Sequence, residues 1–381
     1  MIVVHVTHEA VEKIGGIGTV IEGLTTAEPY GREVSRTILL GPLFSTDRTR
    51  RNRLGPKGKI IYSTPDGIAP SQWRERFSPI EQTYDVGIIY GTREIPSPSG
   101  GRTVSVEVLL VDVFHANQEK LNLFKGELFR KFGVSSQEFE DIWEYEQYVR
   151  LAEPGIEAIK AIVADAGEEQ VVLLGHEYMG IPTALRAVLD GSDNLKTVFY
   201  AHEVASVRRI VEDQPGHDTM FYNVMGPASR EGKTLEDVFP QVREDFKHSL
   251  VKAGRYCDRV FAVGDRIVSE LRFLDGHFAR KDIDLVYNGI PAEPLSPSEK
   301  HASQSLLKKY AANLFGSAPT WVFTHVARPV LSKGIWRDLG VMHELDGLLA
   351  ARGKTAVCFQ LGTLAGQRRV KDILHMERLY G

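Results

Sequence analysis

Short, mostly apolar runs alternate along this chain with longer segments of helical length. The runs Ile2–Thr7, Ser35–Leu40, Ile60–Ser63, Asp85–Tyr90, Val104–Val111, Val171–Leu174, Thr197–Ala201, Arg259–Val263 and Asp284–Tyr287 are read as strands. Several are apolar throughout, the pattern of a parallel sheet covered on both faces. Between them, Gly18–Thr26, Ser136–Ala164, Ile181–Asp190 and Glu236–Tyr256 are read as helices. The alternation predicts a doubly wound α/β fold, with ligands expected at the carboxyl ends of the strands.

The texture changes after Asn288-Gly289-Ile290. Prolines in Pro291-Ala292-Glu293-Pro294-Leu295-Ser296-Pro297 favour an extended linker. A helix is predicted over about residues 301–314, then a strand from Trp321 to Val326, a helix from Ile335 to Ala351 and a strand from Thr355 to Leu361. This is the opening βαβ of a second α/β unit. The expected organisation is an N-terminal domain over residues 1–295, a linker and helix over 296–319, and the beginning of a second domain over 320–381.

Composition narrows the possibilities. A length of 381 residues suits two or three domains, and 43% hydrophobic with 25% charged residues describes an ordinary globular chain. The net charge of −4 argues against a general nucleic-acid binder. The two cysteines, Cys257 and Cys358, lie far apart and outside metal-site spacing, which fits a reducing compartment. The N-terminal residues read as a first strand and not as a signal peptide, and no run approaches the roughly 20 apolar residues of a membrane helix. A soluble cytoplasmic protein is expected.

Four polar clusters follow apolar strands. Lys13-Ile14-Gly15-Gly16-Ile17-Gly18-Thr19-Val20 joins the first strand to its helix, where glycines allow close approach and a helix N-terminus offers N–H groups to an anion. His176-Glu177-Tyr178-Met179-Gly180 follows the strand ending at Leu174. Tyr200-Ala201-His202-Glu203 precedes Arg208-Arg209; the histidine suits a sugar hydroxyl and an arginine suits a phosphate. Arg328-Pro329-Val330-Leu331-Ser332-Lys333-Gly334 sets two cations ahead of a helix, an arrangement matched to a diphosphate. Each has a plainer alternative: a strand-to-helix turn, a cap, a satisfied core histidine or a basic surface turn. No Ser/His/Asp spacing, His-Glu-x-x-His motif or P-loop is present.

Taken in order, these clusters resemble the glycogen and starch synthases. Lys13 to Val20 is similar to their Lys-Val-Gly-Gly signature, with Thr19 as in the eukaryotic type where bacterial members have aspartate. His176-Glu177-Tyr178 resembles the eukaryotic His-Glu-Trp with tyrosine replacing tryptophan. His202 and Arg208 match a histidine and an arginine six residues on; Phe221-Tyr222-Asn223 is also similar to that type. Val263-Gly264 departs from the usual Val-Ser. Asn288-Gly289 matches the dipeptide closing the first domain, although Pro291 stands where bacterial enzymes have aspartate. Arg328 and Lys333 match the phosphate-binding pair at the bacterial spacing.

The resemblance implies a GT-B architecture of two facing Rossmann-like domains with the active site in their cleft. It implies transfer of glucose, with retention, from ADP- or UDP-glucose to an α-1,4-glucan without a metal or other cofactor. His202, Arg328 and Lys333 would be catalytic. Lys13, Gly15, Gly16, His176, Glu177, Arg208 and Asn288 would bind substrate. Nothing after Val370 supplies the family's glutamate-bearing motif, so the 381 residues alone are expected not to synthesise glucan. A sucrose- or trehalose-type transferase and a truncated non-catalytic glucan-binding relative are the alternatives; Lys13 with its double glycine favours a glucan synthase.

Overall fold

A computed structural model describes residues 1–44, 53–55, 57–98, 100–289, 294–362, 374–375 and 378. The expected linker residues 291–293 and the positions around Val370 lie outside the described residues. By internal packing the chain divides into two units, Met1–Val207 with Met225–Pro291, and Arg208–Val224 with Ala292–Gly381.

All nine strands expected in the first unit are present: β1 (Ile2–Val6), β2 (Arg36–Pro42), β3 (Lys59–Ser63), β4 (Gly87–Pro96), β5 (Thr103–Asp112), β6 (Val171–His176), β7 (Leu195–Ala201), β8 (Arg259–Ala262) and β9 (Asp284–Leu285). They form one sheet in the order β3-β4-β5-β2-β1-β6-β7-β8-β9. From β5 to β9 every pairing is parallel. At the other edge β4 runs antiparallel to both β5 and β3, so the sheet is mixed. The short Ser97–Arg102 connection, with Gly100 and Gly101 at positive φ, can close a hairpin but cannot carry a crossover.

Alternate side chains along the strands meet helices on opposite faces. On β2, Leu39 belongs to the buried cluster with Ile17 and Ile21 of the helix Gly16–Thr26. Its neighbour Leu40 points the other way, against Gly155 of the helix Trp143–Val163, where an added Cβ would come within 3.0 Å. Both sheet faces are thus dry, which is why these strands read as apolar runs.

The helices differ more from expectation than the strands. The segment 136–164 is helical only from Trp143, after a 3₁₀ turn at Ser136–Glu138. The segment 236–256 is broken into Leu235–Val238 and Phe246–Ala253, with 3₁₀ turns at Pro240–Glu244 and Gly254–Tyr256. Pro240 has no N–H to continue a helix, and the Asp245 side chain restarts it by accepting from the Lys247 N–H at 3.0 Å.

In the second unit a helix, Pro297–Phe315, starts at a capping box formed by Ser296 and Glu299. Strands β10 (Trp321–Val326) and β11 (Ala356–Leu361) pair in parallel, joined through the helix Ile335–Ala350. This is the expected βαβ. Among the described residues no helix is long and apolar enough to cross a membrane.

Candidate functional site

The glycine turn after β1 is organised by an acid. Glu9 is buried, and its Oε2 accepts the N–H groups of Ile14, Gly15 and Gly18 at 3.0, 2.9 and 2.9 Å. Three N–H groups, two in the turn and one in the first turn of the helix Gly16–Thr26, are therefore satisfied from within the chain, where the sequence suggested donors open to a ligand. Lys13 reaches along the same helix to Glu22 at 2.6 Å and is half exposed. Gly16 stands in open space, since an added Cβ would meet nothing within 4 Å.

His176 and Glu177 sit where β6 turns into the helix Glu177–Asp190. The turn is tight: a Cβ on Gly180 would lie 2.4 Å from the Gly175 Cα, so both positions exclude a side chain. Glu177 itself adopts φ +54, an uncommon left-handed conformation for a residue with a side chain. That conformation accompanies a specific contact. Its Oε1 accepts the backbone N–H groups of both His202 and Glu203 at 2.7 Å. A carboxylate from the end of β6 thus fixes the backbone at the end of β7.

The His176 and His202 rings also meet, Nδ1 to Nε2, at 2.8 Å. A third histidine, His5 on β1, joins them through Nδ1 to the His176 Nε2 at 2.9 Å. The His5 and His202 rings each stack on His176, with centroids 5.2 and 5.1 Å away. Burial disfavours the imidazolium in all three: His5 is lowered to about 3, His202 to about 4, and His176 well below its ordinary value. The rings are neutral at pH 7. Among the described residues, Nδ1 of His202 makes no hydrogen bond.

Asn288 is exposed, beyond β9, and with Tyr200, Tyr287, Val20 and Leu24 lines a cavity of about 420 Å³. Arg208 is half-buried in the short helix Ala205–Val211 and opens the segment that packs with the second unit.

In the second unit, Arg328 and Lys333 both follow β10. A 3₁₀ turn, Leu331–Lys333, leads to Gly334 at φ +71, the N-cap of the helix Ile335–Ala350, with no side chain capping that end. Both cations are exposed, and among the described residues neither side chain makes an ion pair or hydrogen bond. Nearby groups are engaged: Ser332 donates to Glu212, and Arg337 grips Asp218 through two bonds of 2.8 and 2.7 Å. Two uncommitted cations beside an uncapped helix start form a site matched to an anion carrying more than one charge.

Two participants were not singled out from the sequence, His5 and Glu9. His5 is the one polar position in Ile2–Val6, and Glu9 is an acid four residues before Lys13. Those are the signals that mark them.

No protein-family model matches the chain. No curated protein matches it either. Among solved structures it is similar to the catalytic domain of starch synthase IV from Arabidopsis thaliana bound to ADP and acarbose, at 12% identity and a TM-score of 0.49, covering 99% of this chain and 69% of that one. It is similar to an E. coli trehalose-6-phosphate protein bound with UDP-2-fluoro glucose, at 13% identity and a TM-score of 0.41, covering 99% and 68%. It is also similar to the α,α-trehalose 6-phosphate synthase of Burkholderia multivorans, at 11% identity and a TM-score of 0.42, covering 99% and 67%.

Proposed function

We propose a retaining GT-B glucosyltransferase of the glycogen and starch synthase type. It would move glucose from ADP- or UDP-glucose to the end of an α-1,4-glucan. The observation that carries this reading is the pair Arg328 and Lys333, exposed and uncommitted beside an uncapped helix start. Such a pair holds a diphosphate and stabilises the negative charge that grows on it as the glycosidic bond breaks.

The first unit supplies the sugar-facing groups. Nδ1 of His202 is the ring atom available to a glucose oxygen, and Glu177 and His176 hold that residue in place. Asn288 lines the donor side; Arg208, which belongs with the second unit, adds a phosphate contact. Gly16 stands open to the phosphates, Lys13 reaches them by exchanging Glu22 for the more highly charged ligand, and Gly15 contributes close approach of the backbone while its N–H stays with Glu9. Lys13 with its double glycine favours a glucan acceptor over the free sugar or sugar phosphate of a sucrose- or trehalose-type enzyme. Labelled ADP-glucose and UDP-glucose, each offered to the longest form in which this chain occurs together with glycogen, a free hexose and a hexose phosphate, test the reading. Label entering glycogen is the expected result; label entering only the small acceptors contradicts it.

A further inference from the structure

The three histidines continue into a longer hydrogen-bonded rank. Nε2 of His5 meets the Tyr30 hydroxyl at 3.2 Å, and that hydroxyl meets Oγ1 of Thr37 at 3.0 Å. Sheet register explains the alignment. Thr37 pairs with Val3, and His5 is two residues beyond Val3. His5 pairs with Leu174, and His176 is two beyond that. His176 pairs with Tyr200, and His202 is again two beyond. Side chains two apart share a face, so Thr37, His5, His176 and His202 climb one face diagonally toward the carboxyl ends.

A neutral imidazole has one donor and one acceptor nitrogen. The rank therefore has two complete settings. In one, Tyr30 donates to Nε2 of His5, Nδ1 of His5 to Nε2 of His176, and Nδ1 of His176 to Nε2 of His202, leaving the proton of His202 on Nδ1. In the other every ring bond is reversed, Tyr30 donates to Thr37, and Nδ1 of His202 is a bare acceptor. Any mixture sets two N–H groups or two lone pairs against each other in a buried place. His5 and His176 are fully buried, so water cannot repair such a fault. Tyr30 breaks the tie. Its hydroxyl donates in either setting, and an imidazole nitrogen is a stronger acceptor than a hydroxyl oxygen, so Tyr30 donates to His5.

We infer that Tyr30 and His5 are positioning residues that fix the tautomer of His202 from across the sheet, so that its Nδ1 presents an N–H. What that N–H meets, a glucose oxygen, rests on the proposed function; the tautomer itself does not.

Long-range ¹H–¹⁵N correlation spectra of histidine-labelled protein read the tautomer directly, with the His202 signals assigned by their loss in His202→Asn. At pH 7.5 the wild type should show His202 protonated at Nδ1. Tyr30→Phe keeps the ring and removes the hydroxyl, and should convert His202 to a mixture of tautomers; His5→Phe, which cuts the rank, should do the same. Thr37→Val should leave the tautomer unchanged. A wild-type His202 protonated at Nε2, or an unchanged pattern in both Tyr30→Phe and His5→Phe, would overturn the inference. A shift on Tyr30→Phe, with no glucose transfer by the longest form in which this chain occurs, would uphold the relay and count against the glucosyltransferase reading alone.

Discussion

The Gly18 N–H donates to Oε2 of Glu9 at 2.9 Å, and a Cβ on residue 18 would lie only 2.6 Å from that oxygen. The contact that shapes the turn also excludes every side chain but hydrogen. Gly18→Ala should therefore cost about 1–3 kcal/mol, the range for forced overpacking, read as a lower urea midpoint. Glu9→Gln, which retains an acceptor oxygen, should lose less than Glu9→Ala. Wild-type stability for Gly18→Ala would contradict this account of the turn.

Glu177 combines an unfavourable backbone with a favourable contact. Glycine accepts φ +54 without penalty but cannot hold the N–H groups of His202 and Glu203. Glu177→Gly should consequently change stability little, as the two effects oppose each other. It should still lower turnover by loosening His202. Full activity with unchanged stability would show that the carboxylate does not position His202.

The buried histidines give stability a definite pH dependence. His5 and His202 titrate near 3 and 4 when folded, His176 lower still, whereas an unfolded histidine titrates near 6.5. Below about 6.5 the unfolded chain binds protons that the folded chain refuses. Stability is fully present above that pH and falls as pH drops toward the folded values, each group contributing up to about 1.4 kcal/mol per pH unit. Urea midpoints should decline steadily from pH 7 to pH 5. A flat profile over that range would mean that the rank protonates without unfolding.

In the second unit, Arg337 binds Asp218 with both arms of its guanidinium and also reaches Oγ1 of Thr219 at 3.0 Å. A lysine cannot reproduce that fork. Both Arg337→Ala and Arg337→Lys should accelerate amide hydrogen exchange across residues 208–224. Unchanged exchange in both would show that other contacts hold this segment.

The strands were legible because burial on both faces leaves an apolar run whatever its neighbours. Strand direction was not: the first half of β4, Gly87–Gly91, is as apolar as the parallel strands, and only the short link to β5 makes it antiparallel. The helices Ser71–Tyr84 and Gln118–Glu127 escaped notice because each buries only a few side chains, leaving little periodic signal. His176 and His202 stood out in the sequence as polar residues at strand ends. Their link to His5 and Tyr30 depends on register across three strand pairings, which a linear pattern does not encode. Glu9 was hidden for a similar reason, since an acid near a glycine turn ordinarily faces solvent.

The most direct test is transfer of labelled glucose from ADP-glucose or UDP-glucose to glycogen, using the longest form in which this chain occurs. Wild type is compared with Arg328→Ala and Lys333→Ala. Removing one group that stabilises developing charge typically costs about 2.7–4 kcal/mol, so each variant should lose about 100- to 1000-fold in kcat. The KM for glycogen should stay near the wild-type value, because neither cation is assigned to the acceptor. Wild-type rates in both variants, or no transfer from either donor by the wild type, would contradict the account.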